Sequence, residues 1–442
     1  MSGLKKYLKT FYLSLAAITF LVLTVFVFMS LIGDYLLIKE SSLKKIYYAD
    51  NMSPGHKLVI EKFNQLHKGK IEVVPIDLPF EKFSTNERKE LLIRYLRSKN
   101  ERIDVFSVDQ IWVPRFAKFV EPLGNYFPSN QREQFIDPAF ESCFYKNQLV
   151  AIPLYFDISV MYYRIAALKQ LPDYQQVKNE LDNFITWERF IELGERIKKF
   201  NKPFYVFPAD DYEGLMCSYV EMLESQNESI FRGDSVVLTT PKSIKALKLL
   251  ADLVNKYKLS PPNVVEYKET ESDLHFLNEE GTFLRNWPGF YKWYETFLEK
   301  KVPPNTYERA ALPHFKGSLP ASIIGGWNLM ISDYSNHKPE ALEFIRYIIS
   351  EEAQTTLFEA SGYLPITKNF YSQEKYLNKY NDLKFYSKII ETAVKRPYLE
   401  LYTRYSDVIA HYLNLAIKNE MSPEDALLKA EQVINSGDIF IK

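Results

Sequence analysis

Lys45-Ile-Tyr-Tyr-Ala49 is the first of three short apolar segments, followed by Lys70-Ile-Glu-Val-Val-Pro-Ile76 and Ile103-Asp-Val-Phe-Ser-Val108. Each segment has the length and the β-branched and aromatic content of a strand. The residues between them, 54–67 and 87–98, carry apolar side chains at the spacing of an amphipathic helix. The predicted order is therefore strand, helix, strand, helix, strand. This alternation is typical of a largely parallel sheet with helices on both faces.

A polar residue directly after such a strand is a candidate for ligand binding. In open α/β sheets, ligands bind at the carboxyl ends of the strands, where the loops begin. Asp109 follows the third predicted strand immediately. We therefore predict that Asp109 lies in a ligand site.

A second region, from about residue 179 to residue 300, is rich in predicted helices, including amphipathic segments at 185–200 and 241–257. Further amphipathic helices are predicted at 338–360 and 422–435. No repeat or long Gly/Ser linker divides the chain. We therefore expect a second lobe and more than one chain crossing between the two lobes.

The N-terminal segment has the features of a membrane anchor. Residues 11–33 form an uncharged apolar run, and about 20 such residues cross a bilayer as a helix. Lys5, Lys6 and Lys9 lie on its N-terminal side, so the positive-inside rule predicts cytoplasmic residues 1–10 and an extracytoplasmic remainder.

We predict that this anchor is uncleaved and is followed by a linker at 34–44. A cleaved signal peptide is the alternative, although the run is long for such a peptide and no small-x-small pattern follows it. Lipid attachment would need a cysteine just after the run, and the two cysteines of the chain are Cys143 and Cys217. In an oxidising compartment these two form either a disulfide or two buried thiols.

Composition and motifs argue against several function classes. Lys and Arg total 55 against 56 Asp and Glu, which gives no basic surface for nucleic acid. Walker, G-x-G-x-x-G, G-x-S-x-G and H-E-x-x-H motifs are absent, and the six histidines lack metal-ligand spacing. We therefore predict neither a cofactor, nor a metal, nor an enzymatic activity.

Two tryptophans beside Gly or Pro are candidates for ligand contact. Trp287 lies in Leu284-Arg-Asn-Trp-Pro-Gly289, and Trp327 lies in Ile323-Ile-Gly-Gly-Trp-Asn-Leu-Met-Ile331. A tryptophan at such a turn can present its flat face to a sugar ring while carboxylates and arginines bind the hydroxyls. Core packing is the alternative for each of them.

These segments, in this order, resemble the family 1 extracellular solute-binding proteins, particularly the maltose and trehalose binders of ABC importers. The resemblance extends from Ile46 to about Ile434. Its motifs are Ile103-Asp-Val-Phe-Ser-Val-Asp-Gln-Ile-Trp-Val-Pro114, Ala151-Ile-Pro-Leu-Tyr-Phe-Asp157, Met161-Tyr-Tyr-Arg164, Asp211-Tyr-Glu-Gly-Leu-Met-Cys217, the two tryptophan turns, Glu340 to Leu357, Gly362-Tyr-Leu-Pro365 and Arg396-Pro397.

The resemblance implies a type II periplasmic-binding-protein-like fold, with two α/β lobes that close over a ligand. It implies an N-lobe from residues 45–157 and 310–362 and a C-lobe from 158–309 and 363–442. The implied function is capture of a carbohydrate or related polyol and its delivery to the permease of an ABC importer. The implied location is the bacterial cell membrane, with the lobes in the periplasm or outside the cell.

The resemblance also implies roles for individual residues. Asp109 would accept hydroxyl hydrogen bonds with Arg88 beside it, and the two tryptophans would stack on the ligand. The other implied binding residues are Tyr155 and Asp157 at the crossing, Tyr212 and Glu213 on the C-lobe, and Gly325 and Gly326, whose backbone would approach the ligand. The alternatives are a helix N-cap for Asp109 and a surface acid for Glu213. The resemblance further implies a Cys143–Cys217 disulfide.

Two other functions remain open from the sequence. A carbohydrate-active hydrolase would need two carboxylates across the cleft, for which Asp109 and Glu213 are candidates. A sensory module would report ligand occupancy to a membrane partner. About ten residues precede the apolar run, too few for a cytoplasmic output domain, so signalling would need another protein.

Overall fold

The computed structural model describes residues 2–41, 43–79, 82–83, 85–99, 102–200, 202–232, 235–297, 301–303 and 305–437. The chain begins with one long helix and then alternates strands with helices. Its first elements are α1 (Ser2–Ser41), β1 (Lys44–Asp50), α2 (Pro54–Leu66), β2 (Ile71–Asp77), α3 (Thr85–Arg97), β3 (Val105–Asp109), α4 (Val113–Phe116), α5 (Ser129–Arg132), α6 (Asp137–Glu141), β4 (Phe144–Tyr145), β5 (Gln148–Leu149) and β6 (Ile152–Ile158).

The middle of the chain is mainly helical. Its elements are β7 (Val160–Arg164), α7 (Ile165–Leu168), α8 (Tyr174–Asp182), α9 (Trp187–Ile197), β8 (Tyr205–Val206), α10 (Glu213–Glu224), β9 (Phe231–Arg232), β10 (Ser235–Val236), α11 (Pro241–Asn255), α12 (Glu269–Asn278), β11 (Phe283–Asn286), α13 (Phe290–Phe297) and β12 (Tyr307–Ala310).

The last part contains one long strand, one short strand and otherwise mainly helices. Its elements are β13 (Ser322–Ile331), α14 (Lys338–Ile348), α15 (Glu351–Ser361), α16 (Asn369–Ser372), α17 (Glu374–Lys379), α18 (Asn381–Ile390), β14 (Ala393–Val394), α19 (Tyr402–Ile417) and α20 (Pro423–Ser436).

The first sheet confirms the parallel arrangement predicted from the opening segments. Strand β1 pairs in parallel with β2 and with β3. Strand β13 runs antiparallel to β3 and to β6 and parallel to β14, so the described order is β14-β13-β3-β1-β2, with β6 also on β13. The carboxyl ends of β1 and β3, at Asp50 and Asp109, therefore lie at the same edge.

A second sheet has the described order β12-β7-β11-β8, and helices α10, α11, α19 and α20 pack on one another beside it. The buried apolar residues form two clusters, one around each sheet. We call the part around the first sheet the N-lobe and the part around the second the C-lobe. Strands β6 and β13 each contribute residues to both clusters. Tyr155 and Trp327 belong to the N-lobe cluster, whereas Phe156 and Ile324 belong to the C-lobe cluster. These two strands therefore join the lobes.

One predicted helix is divided in two. The apolar spacing predicts a continuous helix over 338–360, but α14 ends at Ile348 and α15 begins at Glu351. Ser350 has an extended backbone, and its hydroxyl accepts a hydrogen bond from the amide of Ala353. The break is therefore an N-cap, a local bond that periodicity does not reveal. Ser422 caps α20 in the same way, as predicted.

Helix α1 is the candidate anchor. Its residues Tyr7–Ile32 have a mean hydropathy of 2.7 and are not buried against the rest of the protein. By length and composition this segment can cross a bilayer, and a signal sequence has the same properties. The helix continues to Ser41, so most of the predicted linker is helical, and β1 begins at Lys44.

The disulfide implied by the resemblance is not formed. Cys143 and Cys217 are both free and buried. Cys143 lies in the N-lobe cluster and Cys217 in the C-lobe cluster, so each packs as a small apolar residue in a separate core. Burial raises the pKa of both thiols above the ordinary value.

Candidate ligand site between the lobes

Arg396 joins one acid from each side of the site. Its Nη2 lies 2.8 Å from Oδ1 of Asp109, and its Nη1 lies 2.9 Å from Oε1 of Glu213. The Tyr402 hydroxyl donates to the same Glu213 oxygen at 3.0 Å, and the Ser406 hydroxyl donates to the other. The predicted pair Asp109 and Glu213 is therefore brought together through an arginine that is 5% exposed.

Local structure explains how these side chains converge. Asp109 ends β3, and its carboxylate also accepts a bond from the amide of Ile111, so it is an N-cap as well as an ion-pair partner. Glu213 opens α10, and Arg396 follows β14. Burial raises the pKa of Glu213, although the guanidinium of Arg396 acts in the opposite direction.

Asp157, Gly325 and Trp287 form a second group where β6 crosses β13. Asp157 is opposite Gly325 in the register of the two strands. A Cβ atom at Gly325 would lie 2.9 Å from Cζ3 of Trp287 and 3.1 Å from Cβ of Asp157, so only glycine leaves room for the indole here. The half-buried Trp287 therefore packs its edge on the crossing strands.

The carboxyl group of Asp157 is electrostatically unfavourable in its charged form. Burial raises its pKa well above the ordinary value, and the negative charge of Asp109 raises it further. A neutral carboxyl group can donate a hydrogen bond as well as accept one, which suits a polyhydroxylated ligand.

Asp157 gives a prediction for the dependence of stability on pH. Because the pKa is higher in the folded protein than in the unfolded chain, the folded state holds the proton longer, and stability falls as pH rises between the two values. Asp157→Asn should therefore raise the free energy of unfolding at pH 7, by about 1.4 kcal/mol per unit of pKa difference. The gain should shrink as pH approaches about 4, the unfolded value.

Denaturant titrations from pH 4 to pH 8 would measure this difference. The exposed Asp137, paired with Lys368 at the surface, supplies the control variant Asp137→Asn, for which we expect little change. A gain for Asp157→Asn that is the same at every pH would contradict the electrostatic explanation.

Arg88 and Trp327 belong to a buried network at the end of β1. The guanidinium carbon of Arg88 lies 4.3 Å from the ring centroid of Trp327, and its Nη2 lies 2.9 Å from Oδ1 of Asp50. Asp50 also contacts His56 and accepts a hydrogen bond from Tyr48. Burial opposes ionisation of Asp50, but its neighbours His56 and Arg88 lower its pKa strongly.

The two predicted stacking residues differ in exposure. Trp327 is 7% exposed and packs edge-on against Trp112 at 5.2 Å within the N-lobe cluster, so much of its surface is in the core. Trp287 is more accessible. Trp287 therefore has the larger surface available to a ligand.

The remaining predicted residues occupy different positions. Tyr155 on β6 stacks on Tyr363, with ring centroids 4.0 Å apart and planes 5° apart, next to Asp157. Gly326 has φ +126°, and its Cα lies against the backbone of β6. Tyr212 folds over Gly214 at the start of α10 and is 8% exposed. Burial raises the pKa of its hydroxyl, and the charge of Glu269 raises it further.

Sequence reasoning missed residues that complete the site. Arg396 opens the Arg396-Pro397 motif, but no pattern in the sequence indicates its role, because the preceding strand β14 has two residues. Asp50 had a detectable signal, since it follows the first predicted strand as Asp109 follows the third. Among the described residues, no cluster of three or more His, Cys, Asp or Glu side chains could hold a metal.

The family model for bacterial extracellular solute-binding proteins matches residues 47–355. A Deinococcus radiodurans protein described as a probable ABC transporter-binding protein is 26% identical over 359 residues, which cover 78% of this chain and 83% of the relative. Since the family model covers more than half of the sequence, the chain belongs to the bacterial extracellular solute-binding proteins, which confirms the resemblance.

Solved structures confirm the two-lobe fold. Maltose-bound MalE3 of T. maritima has 27% identity and a TM-score of 0.79, with 89% of this chain and 99% of that chain covered. An ABC transporter solute-binding protein of Thermotoga lettingae, bound with α-D-tagatose, has 22% identity and a TM-score of 0.76 over the same shares. The second likeness concerns the fold alone.

Proposed function

We propose that this protein captures a neutral carbohydrate between its lobes and delivers it to an ABC importer from a membrane-tethered position. The observation that carries the proposal is the bridge from Asp109 through Arg396 to Glu213, together with the Trp287 indole packed at Gly325 and Asp157. Charged groups that hold one another can exchange part of their hydrogen bonding for ligand hydroxyls, and an indole face packs against the C–H groups of a sugar. The maltose named for the similar structure of 27% identity supports the same ligand class.

The arrangement of the acids favours binding over hydrolysis. A glycosidase needs one carboxyl group free to donate a proton and a second that is a base or a nucleophile. Here the guanidinium of Arg396 lies between Asp109 and Glu213 and engages both at 2.8 to 2.9 Å. Both oxygens of each acid are already engaged: those of Glu213 by Arg396, Tyr402 and Ser406, and those of Asp109 by Arg396 and the amide of Ile111. We therefore propose that the ligand leaves the site unchanged.

Arg396 also suits a protein whose lobes close. Asp109 belongs to the first sheet and Glu213 to a helix beside the second, so the guanidinium links the two sides. A ligand that binds both sides shifts the population towards the closed form, by an amount set by its differential affinity for the two forms. Closure would then present a distinct surface to the importer.

A tether at α1 would keep the protein near its importer. The apolar segment Tyr7–Ile32 is long enough to span the membrane, and the three lysines before it favour a cytoplasmic N-terminus. Tethering raises the local concentration of the binding protein at the membrane without any new contact.

The test of the proposed function is ligand-dependent thermal unfolding of the full chain in detergent, with maltose, trehalose, monosaccharides, polyols and peptides. A ligand at 100 times its dissociation constant adds about 2.7 kcal/mol to stability. We expect an upward shift for one carbohydrate class, with no hydrolysis product in chromatography. A shift with peptides only, or the appearance of product, would overturn the proposal.

Trp287→Ala should weaken binding of the same carbohydrate about 30-fold or more, since truncation of a central tryptophan in a binding site commonly costs about 2 kcal/mol. Titration calorimetry would measure the loss. Trp293→Ala is the matched control, because Trp293 is a half-buried tryptophan of α13 outside the site. Equal losses in the two variants would exclude Trp287 as a ligand contact.

A further inference from the structure

One face of the Trp287 indole is covered by the side chain of Arg285. The guanidinium carbon of Arg285 lies 4.4 Å from the centroid of the Trp287 ring, well within the range of a cation–π contact. Arg285 lies near the end of β11 and is fully buried. Trp287 is two residues further along the chain. A ligand therefore cannot stack on this face of the indole.

Glu221 holds the guanidinium in place. Its Oε1 lies 2.5 Å from Nη2 of Arg285 and its Oε2 lies 3.4 Å from Nε, which is a fork-shaped contact. Glu221 is on α10, the helix that begins at Glu213, and it is also buried. A buried pair with this geometry is stiff, because either partner alone would be an uncompensated charge in the core.

The remaining freedom of Trp287 is limited by its backbone. Its amide donates to Oδ1 of Asn286 at 2.7 Å, and its carbonyl accepts a bond from the Tyr162 hydroxyl at 3.1 Å. The space for its ring edge is provided by Gly325. The backbone, one edge and one face of this residue are thus fixed before any ligand arrives.

We propose that Arg285, held by Glu221, is a positioning residue that fixes the Trp287 indole and reserves its opposite face for the ligand. This inference rests on the proposed function, in which Trp287 stacks on a carbohydrate. Arg285 touches no ligand itself. It acts by preorganisation: a ring that is already oriented loses less conformational entropy on binding, so the affinity is higher.

A paired substitution tests this role without leaving a buried charge. Arg285→Met together with Glu221→Leu removes both charges and retains apolar bulk, a replacement that buried ion pairs often tolerate. Arg285→Lys keeps a charge beside Glu221 but loses the flat fork over the indole. Cooperative thermal unfolding of the full chain confirms that each variant is folded before binding is measured.

The first readout needs no ligand. The emission of Trp287, obtained as the difference between each protein and its Trp287→Phe partner, is quenched with acrylamide. We expect at least a twofold larger quenching constant in the paired variant than in the wild type. Unchanged quenching would overturn the inference, and this result is independent of whether any sugar binds.

The second readout is a double-mutant cycle with maltose as the probe. The paired variant should lose at least tenfold in affinity when Trp287 is present and nothing further when Trp287 is alanine, since positioning requires the ring. Arg285→Lys should also lose affinity.

The same loss in the Trp287→Ala background would instead assign Arg285 to ligand contact or to general stability. Full affinity of the Arg285→Lys variant would exclude stacking as the means of positioning. If the wild type binds no sugar, the proposed function fails while the quenching result still stands.

Discussion

Arg396→Met is expected to destabilise the protein by about 3 to 5 kcal/mol and to abolish binding of the carbohydrate. In the native protein the Arg396 guanidinium contacts both Asp109 and Glu213. The substitution leaves these two acids as unpaired carboxylates in a buried region. The cost arises because each charge keeps its desolvation penalty and loses its partner. Denaturant unfolding with and without ligand would measure both effects.

A change of pH provides an internal check on this explanation. Unpaired buried carboxylates have raised pKa values, so part of the lost stability should return as pH falls and the acids become neutral. Arg232→Met is the control, because its pair with Glu228 is exposed on the arginine side and should contribute less than about 1 kcal/mol. Similar losses for both arginines would show that the buried bridge has no special role.

Gly326→Ala is expected to cost about 3 kcal/mol or more, with displacement of β6 from β13. A Cβ atom at this position would lie 2.6 Å from the carbonyl oxygen of Tyr155, a backbone atom that no side-chain rotation can move. The backbone angle φ of +126° adds strain for any residue with a side chain. The sequence predicted that Gly326 lets the backbone approach a ligand, and the structure gives it a role in strand packing.

Gly317→Ala separates these two contributions. Gly317 also has a positive φ, +82°, but a Cβ atom there would meet no atom within 4 Å. The control should therefore lose only the conformational part, about 1 to 2 kcal/mol. Thermal unfolding of both variants measures the difference, and equal losses would mean that the contact with Tyr155 is relieved at no cost.

The sequence predicts the parts of this protein whose signal is local. The three strands that form the sheet of the N-lobe each carry a continuous apolar pattern, and Asp109 is recognisable because it follows one of them. The bridge between lobes has no local signal. Arg396 is 287 residues from Asp109 and 183 from Glu213, and the strand before it is too short to be seen.

The two tryptophan segments show where residue type alone is insufficient, because Trp327 lies within strand β13 and not at the predicted turn. Both have similar neighbours in sequence, yet Trp327 is mostly in the core of the N-lobe and Trp287 is half exposed. The difference comes from partners far along the chain, Trp112 for one and Arg285 with Gly325 for the other. The two cysteines are a similar case. An oxidising compartment permits a disulfide between them, but packing places them in two separate cores.

Strand β1 separates the end of the apolar N-terminal helix from the candidate ligand site. Helix α1 meets the N-lobe just before Lys44, at the amino end of β1, whereas Asp50 at the carboxyl end belongs to the network around Arg88. Seven residues of extended chain place these ends about 20 Å apart. An insertion before Lys44, or the replacement of helix α1 by another segment, can therefore be made without rebuilding the candidate site.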